Sequence, residues 1–347
     1  MHYFFTEEDD QTRIRATDVR AALVHAGHRV THGKPGNRPP PDADVWMSGL
    51  GWNTTIPIEP GVVRDLASFR GRVGIFQLCD GATMAFARIP DVLRQKADRF
   101  LRNHWPGDGA SVPDALRERI GAMPPMMHLM QGRPGKPLAE RSRDAIFYGI
   151  RTGVTAPMAD GRNSRDVLVR SMRESGLDFD GGLAPHDKPE YVPPPDLVVP
   201  RIDEKVHLRR LLDARVCLAP WGNNKLTYRL FEGLASRCLV VAQSIRGTTF
   251  LDGGLAPGRH YVEVSADLSD LVDKVRHYLA RPDEAQAIAD AGFAHFQRCF
   301  APRGQLVSRW MFDESVRTWG PLYAPPGDRG VVSSLKSAIA KRAPGVF

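Results

Sequence analysis

A turn between two apolar stretches within residues 214–244 has the residue types of an anion-binding site. The apolar run that ends at Ala219 is typical of a buried strand, and the sequence Trp-Gly-Asn-Asn that closely follows it is typical of a turn. We expect a helix to open at the next residue, because backbone N–H groups at a helix N-terminus bind anions and a glycine lets a phosphate approach the backbone closely. This arrangement predicts substrate binding by Gly222, Asn223, Asn224 and Lys225.

Two further charged residues follow Lys225 at helical spacing. Arg229 is four residues after Lys225 and Glu232 is three residues after Arg229, so the three side chains would share one helix face. A guanidinium can hold a diphosphate through two hydrogen bonds and neutralise a leaving group, and a carboxylate can accept hydrogen bonds from ribose hydroxyls. Arg229 is therefore the candidate catalytic cation and Glu232 a candidate substrate-binding residue. The alternative is a solvated salt bridge between Arg229 and Glu232, with Lys225 as a surface charge.

Two loops in the first half of the chain are candidates for binding the second substrate, the acceptor of the group that is released from the diphosphate. Asp80 follows an apolar run that is typical of a strand, and a general base would lie at such a strand end. The alternative is an aspartate that caps a turn before Gly81. Gly51 and Trp52 lie in another loop after an expected strand, and we assign them to acceptor binding, with a plain tight turn as the alternative.

The histidines and cysteines do not form a metal-binding pattern. No His-x-Asp sequence stands out, and we expect no metal site and no cofactor. The four cysteines lie far apart, which favours buried thiols over disulfides or zinc ligands. We expect solvated side chains at His25, His28 and His207, and side chains that could reach a cleft at His104 and His260.

Alternating strands and helices must position these residues in both halves of the chain. In the first half the apolar patterns predict strands at 2–5, 28–31, 44–48 and 71–78, with helices at 17–26 and 61–69. In the second half they predict strands at 145–150, 197–199, 215–219, 238–242 and 260–264, with helices at 164–175, 203–212, 226–236, 268–280 and 282–299. Such alternation favours parallel sheets, so we expect an α/β fold of two Rossmann-like domains facing each other across a cleft.

A stretch rich in proline, glycine and methionine at 123–137 separates the two patterns and is the predicted linker. We therefore expect an acceptor-side domain at 1–138 and a second domain, which binds the anionic substrate, at 139–302. The remaining segment, 303–347, is expected to be helical and to pack back on the first domain.

Composition and charge exclude several classes of protein. Of the 347 residues, 42% are hydrophobic and 25% are charged, which is typical of a globular chain, and no stretch has the ~18 consecutive apolar residues of a membrane span. Acidic residues follow the N-terminus where a signal peptide would be apolar, so we expect a cytoplasmic protein. The net charge of +7 favours polyanionic partners, but the scattered basic residues do not favour nucleic acid. The stretch 333–341 is either a helix that touches an anionic membrane surface or a solvated tail.

Three sequence segments carry a resemblance to a known family. They are Pro-x-Gly…Arg-Leu-x-Glu-Gly-Leu-Ala…Cys-Leu-Val-Val at 220–241, Pro-Gly-Arg-His-Tyr-Val-Glu-Val…Asp-Leu-Ser-Asp-Leu at 257–271, and Phe-Tyr-Gly-Ile-Arg-Thr-Gly at 147–153. Together with the helix before residue 300, they resemble the donor-binding region of GT-B glycosyltransferases. The similar proteins are the protein O-glucosyltransferase and LpsA group and the exostosin-like and group 1 transferases.

This resemblance implies transfer of a sugar from a nucleotide-activated donor to a saccharide or a lipid-linked glycan. It places Arg229 on the donor diphosphate and Glu232 near the ribose, with substrate binding at Gly149, Arg151 and Thr152. The cations would then replace a metal ion. Group 1 retaining transferases commonly have two glutamates eight residues apart, whereas the residue eight before Glu232 is Asn224. The stereochemical outcome therefore stays open.

Two other functions fit the same residues. A nucleotide-sugar epimerase of the same fold would need a second set of acids in the cleft. A non-catalytic module that binds nucleotides or polyanions would need the anion site alone, and its binding would depend steeply on salt.

Overall fold

The structure is a computed structural model that describes residues 1–7, 20, 23–24, 27–34, 36–50, 59–77, 89–102, 120–122, 134–152, 160–222, 225, 227–245 and 255–299. The predicted helix at 17–26 lies mostly outside these residues. The predicted C-terminal segment 303–347 lies entirely outside them.

The first half of the chain forms a parallel sheet of six strands in the order β2-β1-β3-β4-β5-β6. Helix α1 starts with a proline, whose fixed φ suits the first helical position, and it buries Leu66 against the sheet side chains Val73 and Ile75. The predictions of β1 to β4 and α1 are confirmed, whereas β5, β6 and α2 were not predicted. The elements are β1 (His2–Glu7), β2 (Arg29–Gly33), β3 (Val45–Leu50), α1 (Pro60–Ser68), β4 (Arg72–Gln77), α2 (Asp91–Lys96), β5 (Arg99–Arg102) and β6 (Ile120–Ala122).

The second half forms a separate parallel sheet of five strands in the order β11-β10-β9-β7-β8. Its central strands are continuous apolar runs, as expected for strands that are covered by helices on both faces. The elements are β7 (Arg143–Ile150), α3 (Ser164–Glu174), β8 (Phe179–Ala184), α4 (Glu204–Leu212), β9 (Ala214–Ala219), α5 (Tyr228–Ala235), β10 (Leu239–Gln243), β11 (Val262–Val264), α6 (Leu271–Leu279) and α7 (Pro282–Cys299). Two parallel sheets confirm the predicted fold class.

Two predictions for the second half are wrong. The second strand of this sheet is β8. In the segment predicted as a strand at 197–199, Leu197 ends a short 3-10 helix, Pro195–Leu197, and Val198 makes only an isolated bridge to Leu183. Helix α5 begins at Tyr228 with Thr227 as its N-cap, so Lys225 lies in the preceding loop and not on the helix. The expected common helix face of Lys225 and Arg229 is therefore absent.

The segment before β7 is fastened to the second domain by a buried arginine. Arg141 is 1% exposed and donates to the carbonyl oxygens of Lys136, Ala214, Ser236 and Arg237, at 2.8 to 3.0 Å. Ser236 and Arg237 immediately follow α5, and their carbonyl groups lie beyond its hydrogen-bonded turns. Arg141 thus satisfies carbonyl groups at the C-terminal end of α5. The predicted domain boundary at residue 138 lies between β6 and β7 and stays a prediction.

Candidate functional site

A crevice is expected where the chain order of the second sheet reverses. β8 lies on one side of β7 and β9 lies on the other, so the carboxyl ends of β7 and β9 flank the switch point at which ligands bind in sheets of this kind. Arg151 and Thr152 follow β7 there, and Trp221 and Gly222 follow β9. Four residues of the predicted site or its loop are thus brought to one edge of the sheet.

The two strand ends come very close at Gly222. A side-chain carbon at this position would lie 3.0 Å from Oγ1 of Thr152 and 2.6 Å from Nη2 of Arg165. A side chain at this position would displace Thr152 or Arg165, so Gly222 marks a point where the loops after the two strands pack closely together.

Arg165 holds the crevice together and was not predicted from the sequence. Its side chain is buried, with Nε donating to the carbonyl of Trp221 at 3.2 Å and Nη1 donating to the carbonyl of Ile150 at 2.7 Å. One guanidinium thereby ties the end of β9 to the end of β7. A lone arginine in the first turn of a helix gives no sequence signal for this role.

The N-terminus of α3 borders the same crevice. Asn163 caps α3 by accepting from the backbone N–H groups of Arg165 and Asp166, and its amide donates to the carbonyl of Thr152 at 2.8 Å. Nε of Arg151 lies 3.1 and 2.9 Å from the two carboxylate oxygens of Asp166. The predicted substrate-binding residue Arg151 is thus already paired with a carboxylate on α3.

Trp221 lies at the end of β9 in a fixed orientation. Its backbone N–H donates to the side chain of Gln243 at 2.9 Å, and its indole N–H donates to the carbonyl of Ser244 at 3.0 Å. Nζ of the exposed Lys225 lies 5.4 Å from the centre of the indole ring, within the range of a cation–π contact. Lys225 therefore lies beside the crevice although the helix begins three residues later.

Arg229 and Glu232 form an ion pair on α5, as in the alternative reading of the sequence, but the pair is largely buried. Their side chains are 23% and 16% exposed. Nε of Arg229 donates to the carbonyl of Tyr148 at 2.6 Å, and Nη1 donates to Nε2 of His207 at 2.8 Å. Oε2 of Glu232 lies 3.1 Å from the same imidazole nitrogen. The contacts bring β7, α4 and α5 together at one point.

The prediction that His207 is solvated is wrong. The residue is 5% exposed because it lies on the face of α4 that packs on the sheet. Burial, reinforced by the adjacent Arg229 charge, lowers the pKa of His207 to about 3, so the imidazole is neutral. Burial also lowers the pKa of Arg229 to about 10. Because Arg229 donates to Nε2, the imidazole proton is on Nδ1, which is buried without a hydrogen-bond partner among the described residues.

Asp180 and Arg210 hold the hydroxyl of Tyr148, whose ring lies edge-on to that of His207 with 6.1 Å between the ring centres. The Tyr148 hydroxyl donates to Asp180 on β8 and accepts from Arg210 on α4. Burial and the hydrogen bond to Asp180 raise the pKa of Tyr148 to about 12. The tyrosine therefore stays protonated and connects β7, β8 and α4.

Several residues with a predicted role or environment lie outside the described residues, namely Gly51, Trp52, Asp80, His25, His104, Asn223 and Asn224. Gly149 is described and packs tightly, since an added side-chain carbon would lie 2.8 Å from the Phe147 ring. His260 is buried, accepts from the backbone N–H of Ala256 at 2.9 Å and lies 4.5 Å from the ring of His295. These two contacts lie within the second domain.

The chain contains two Asp-x-Asp sequences, a pattern that can hold a metal ion, at 42–44 and 178–180. Their carboxylates have other partners: Asp42 pairs with Arg29, Asp178 with Arg143 and Asp180 with Arg210. Within the described residues, no three histidine, cysteine, aspartate or glutamate side chains come together as metal ligands. In the same part of the chain no helix is both long and apolar enough to cross a membrane.

Comparisons with known proteins agree with the predicted class. Residues 169–305 match the family model described as "Glycosyl transferase-like", and no curated protein matches the chain. The fold is similar to an alpha-glucosyltransferase in complex with UDP, at 10% identity and a TM-score of 0.58, over 89% of this chain and 100% of that chain. It is also similar to sucrose-phosphate synthase from Thermosynechococcus elongatus, at 15% identity and a TM-score of 0.53, over 88% of this chain and 97% of that one.

A third similar structure is Anabaena HepE in complex with UDP-glucose, at 10% identity and a TM-score of 0.54, over 89% of this chain and 98% of that one. The structural similarities confirm the predicted GT-B fold, and the family match confirms the predicted class, a glycosyltransferase.

Proposed function

We propose that the protein transfers a sugar from a nucleoside diphosphate donor to a saccharide or a lipid-linked glycan, with the donor bound at the carboxyl ends of β7 and β9. The observation that carries this proposal is the close approach of Gly222 to Thr152 and Arg165 at the switch point of the second sheet. UDP is the first donor nucleotide to test, because similar structures contain UDP or UDP-glucose.

The diphosphate would be bound by Lys225 and by the one guanidinium nitrogen of Arg229 that protein groups leave available. Nε and Nη1 of Arg229 are held by Tyr148, His207 and Glu232, whereas Nη2 has no hydrogen-bond partner among the described residues. Arg229 would thus offer the diphosphate Nη2 from a fixed position, in place of the two-pronged contact expected from the sequence. Among the described residues the Glu232 carboxylate is contacted through Oε2, by Arg229 and His207, which leaves Oε1 for a ribose hydroxyl.

Two cations at the leaving group would make a metal ion unnecessary. Negative charge develops on the diphosphate as the glycosidic bond breaks, and positioned cations stabilise that charge in the transition state. We therefore propose metal-independent transfer, with Arg229 as the group that contacts the reacting phosphate.

Isothermal titration of UDP, ADP and GDP, followed by a transfer assay with the matching sugar donors, tests this proposal. The wild type should bind one nucleoside diphosphate, and Lys225→Ala should weaken that binding about tenfold, since a hydrogen bond to a charged group contributes about 1.5–3 kcal/mol. Arg209→Ala is the matched control, because Arg209 is an exposed cation on α4 outside the crevice.

The outcomes separate the proposal from its rivals. Selective binding together with sugar transfer to a glycan acceptor supports it. Release of nucleoside diphosphate without any transfer product would favour an epimerase. Salt-sensitive binding of every polyanion, equally weakened by Lys225→Ala and Arg209→Ala, would favour a non-catalytic module.

A further inference from the structure

We infer that His207 is a positioning residue, whose neutral imidazole accepts from Arg229 and thereby fixes the Arg229–Glu232 ion pair for the donor. The expected effect of His207 on donor binding rests on the proposed function. The contacts between His207 and Arg229 depend on the structure alone.

The imidazole accepts from Arg229, and the carboxylate of Glu232 lies beside the same nitrogen. Nε2 of His207 lies 2.8 Å from Nη1 of Arg229 and 3.1 Å from Oε2 of Glu232. The Tyr148 carbonyl holds Nε of the same guanidinium at 2.6 Å. The guanidinium is therefore held through two of its nitrogens, by groups from three different elements, which leaves it little freedom to rotate.

The imidazole itself is held from the other side. The edge-on ring of Tyr148 packs against it, and the hydroxyl of that tyrosine is anchored by Asp180 and Arg210. A fixed tyrosine restricts the ring of His207. The polar contacts thus run from β8 through β7 and α4 to the charged pair on α5.

The neutral state of the His207 imidazole allows it to accept a hydrogen bond from Arg229. A protonated imidazole would present an N–H to the N–H of Arg229 and would add a second positive charge beside it, whereas the neutral ring presents a lone pair. Burial and the charge of Arg229 both favour the neutral ring by lowering its pKa.

Packing alone does not explain a histidine at this position. Nδ1 of His207 is buried without a hydrogen-bond partner among the described residues, and an unpaired buried polar group is unfavourable relative to an apolar side chain of similar size. A leucine would fill the space without that penalty. What the imidazole adds is the lone pair that holds Arg229.

Three variants separate positioning from packing. His207→Leu removes the acceptor, and His207→Gln keeps an amide oxygen that can accept from Arg229. Val275→Ala is the matched control for lost stability, because Val275 is fully buried in a different core cluster, on α6. Melting curves show that each variant folds.

Two measurements are made on every variant. The first is the hydrogen exchange rate of the Arg229 Nε–H, followed by NMR on arginine-labelled protein. The second is the dissociation constant for UDP from isothermal titration. We expect His207→Leu to speed the exchange and weaken UDP binding, each about tenfold, as the loss of one charge-assisted hydrogen bond predicts. His207→Gln should remain within about threefold of the wild type, and Val275→Ala should change neither value.

Wild-type values in His207→Leu, or equal changes in Val275→Ala, would overturn the inference. If the wild type binds no nucleoside diphosphate, the proposed function fails, and the exchange rate of Arg229 still decides the role of His207. Faster exchange in His207→Leu with recovery in His207→Gln would then support positioning, and unchanged exchange would overturn it.

Discussion

Acid should destabilise the second domain through His207. In the unfolded chain the imidazole titrates at the ordinary value of 6.5, whereas in the fold its pKa is about 3. Between these values the unfolded chain binds a proton that the folded chain does not, so the free energy of unfolding falls as the pH falls. The stabilisation is fully present above pH 6.5 and is lost progressively toward pH 3.

The magnitude follows from the two pKa values. For one such group, lowering the pH from 7 to 5 removes about 2 kcal/mol of stability. Other groups titrate in this range as well, but the His207→Gln variant contains the same groups. It lacks only the titrating side chain at position 207. The wild type should therefore lose about 2 kcal/mol more than the variant between pH 7 and pH 5.

Urea denaturation at both pH values measures this difference. Pulsed hydrogen exchange of peptides from β9 and β10 follows the unfolding of the second domain separately from that of the first. Equal losses in the wild type and His207→Gln would show that His207 accepts a proton in the fold, and the assignment of a neutral imidazole that accepts from Arg229 would be refuted.

Four further outcomes are expected. Arg141→Ala should lower the free energy of unfolding by about 3 kcal/mol or more, because four carbonyl groups lose a donor; a melting curve like that of the wild type would contradict this. Gly222→Ala should weaken UDP binding roughly ten- to a hundredfold, since the added carbon would lie 2.6 Å from Nη2 of the buried Arg165. Gly61→Ala is the control, because the atom nearest to its added carbon is 3.9 Å away. Equal UDP affinities of the two variants in titration would contradict the close approach at Gly222. Arg229→Ala should weaken UDP binding about ten- to a hundredfold and Arg229→Lys should recover only part of it, so full recovery in the lysine variant would exclude a specific guanidinium contact. Sugar transfer should persist in excess EDTA, and activity that is lost and returns with Mn²⁺ would contradict metal-independent transfer.

The strands and helices with continuous apolar patterns were predictable from the sequence, and β8 was not. Its sequence, Phe-Asp-Gly-Gly-Leu-Ala, has two glycines where a strand normally has packed side chains. A side-chain carbon at Gly181 would lie 2.1 Å from the carbonyl of Phe147, and one at Gly182 would lie 2.9 Å from the carbonyl of Leu197. The glycines are needed because other backbone segments come close on both sides, and this is a tertiary constraint that a local pattern does not contain.

Helical spacing on α4 indicates the burial of His207. Residue 207 is four positions before Leu211, the fully buried leucine of α4, so both lie on the same helix face. The start of α5 was harder to locate. Thr227 has an extended backbone at the N-cap, but its side chain makes no capping hydrogen bond, so no local interaction marks the helix start.

The predicted site residues were partly located by strand ends, but their partners were not predictable. Chain order and strand ends are local features, and the structure brings Gly222, which follows β9, close to Thr152, which follows β7. The contacts of Arg165 with Ile150 and Trp221, and of Arg229 with Tyr148, join residues that are 15 to 81 positions apart in sequence. Only the folded sheet shows that these side chains meet.

The buried guanidinium of Arg141 bears on where the chain can be cut into separately folding pieces. Gly135 donates its backbone N–H to Ser236, the Leu138 N–H donates to Gln286, and the Leu138 side chain is buried in the core of the second domain. A fragment that begins at residue 142 would therefore lose Arg141 and these contacts, and would leave the end of α5 with unpaired carbonyl groups. A fragment that begins at residue 134 would keep all of them, so the start of a separately expressed second domain should be chosen there.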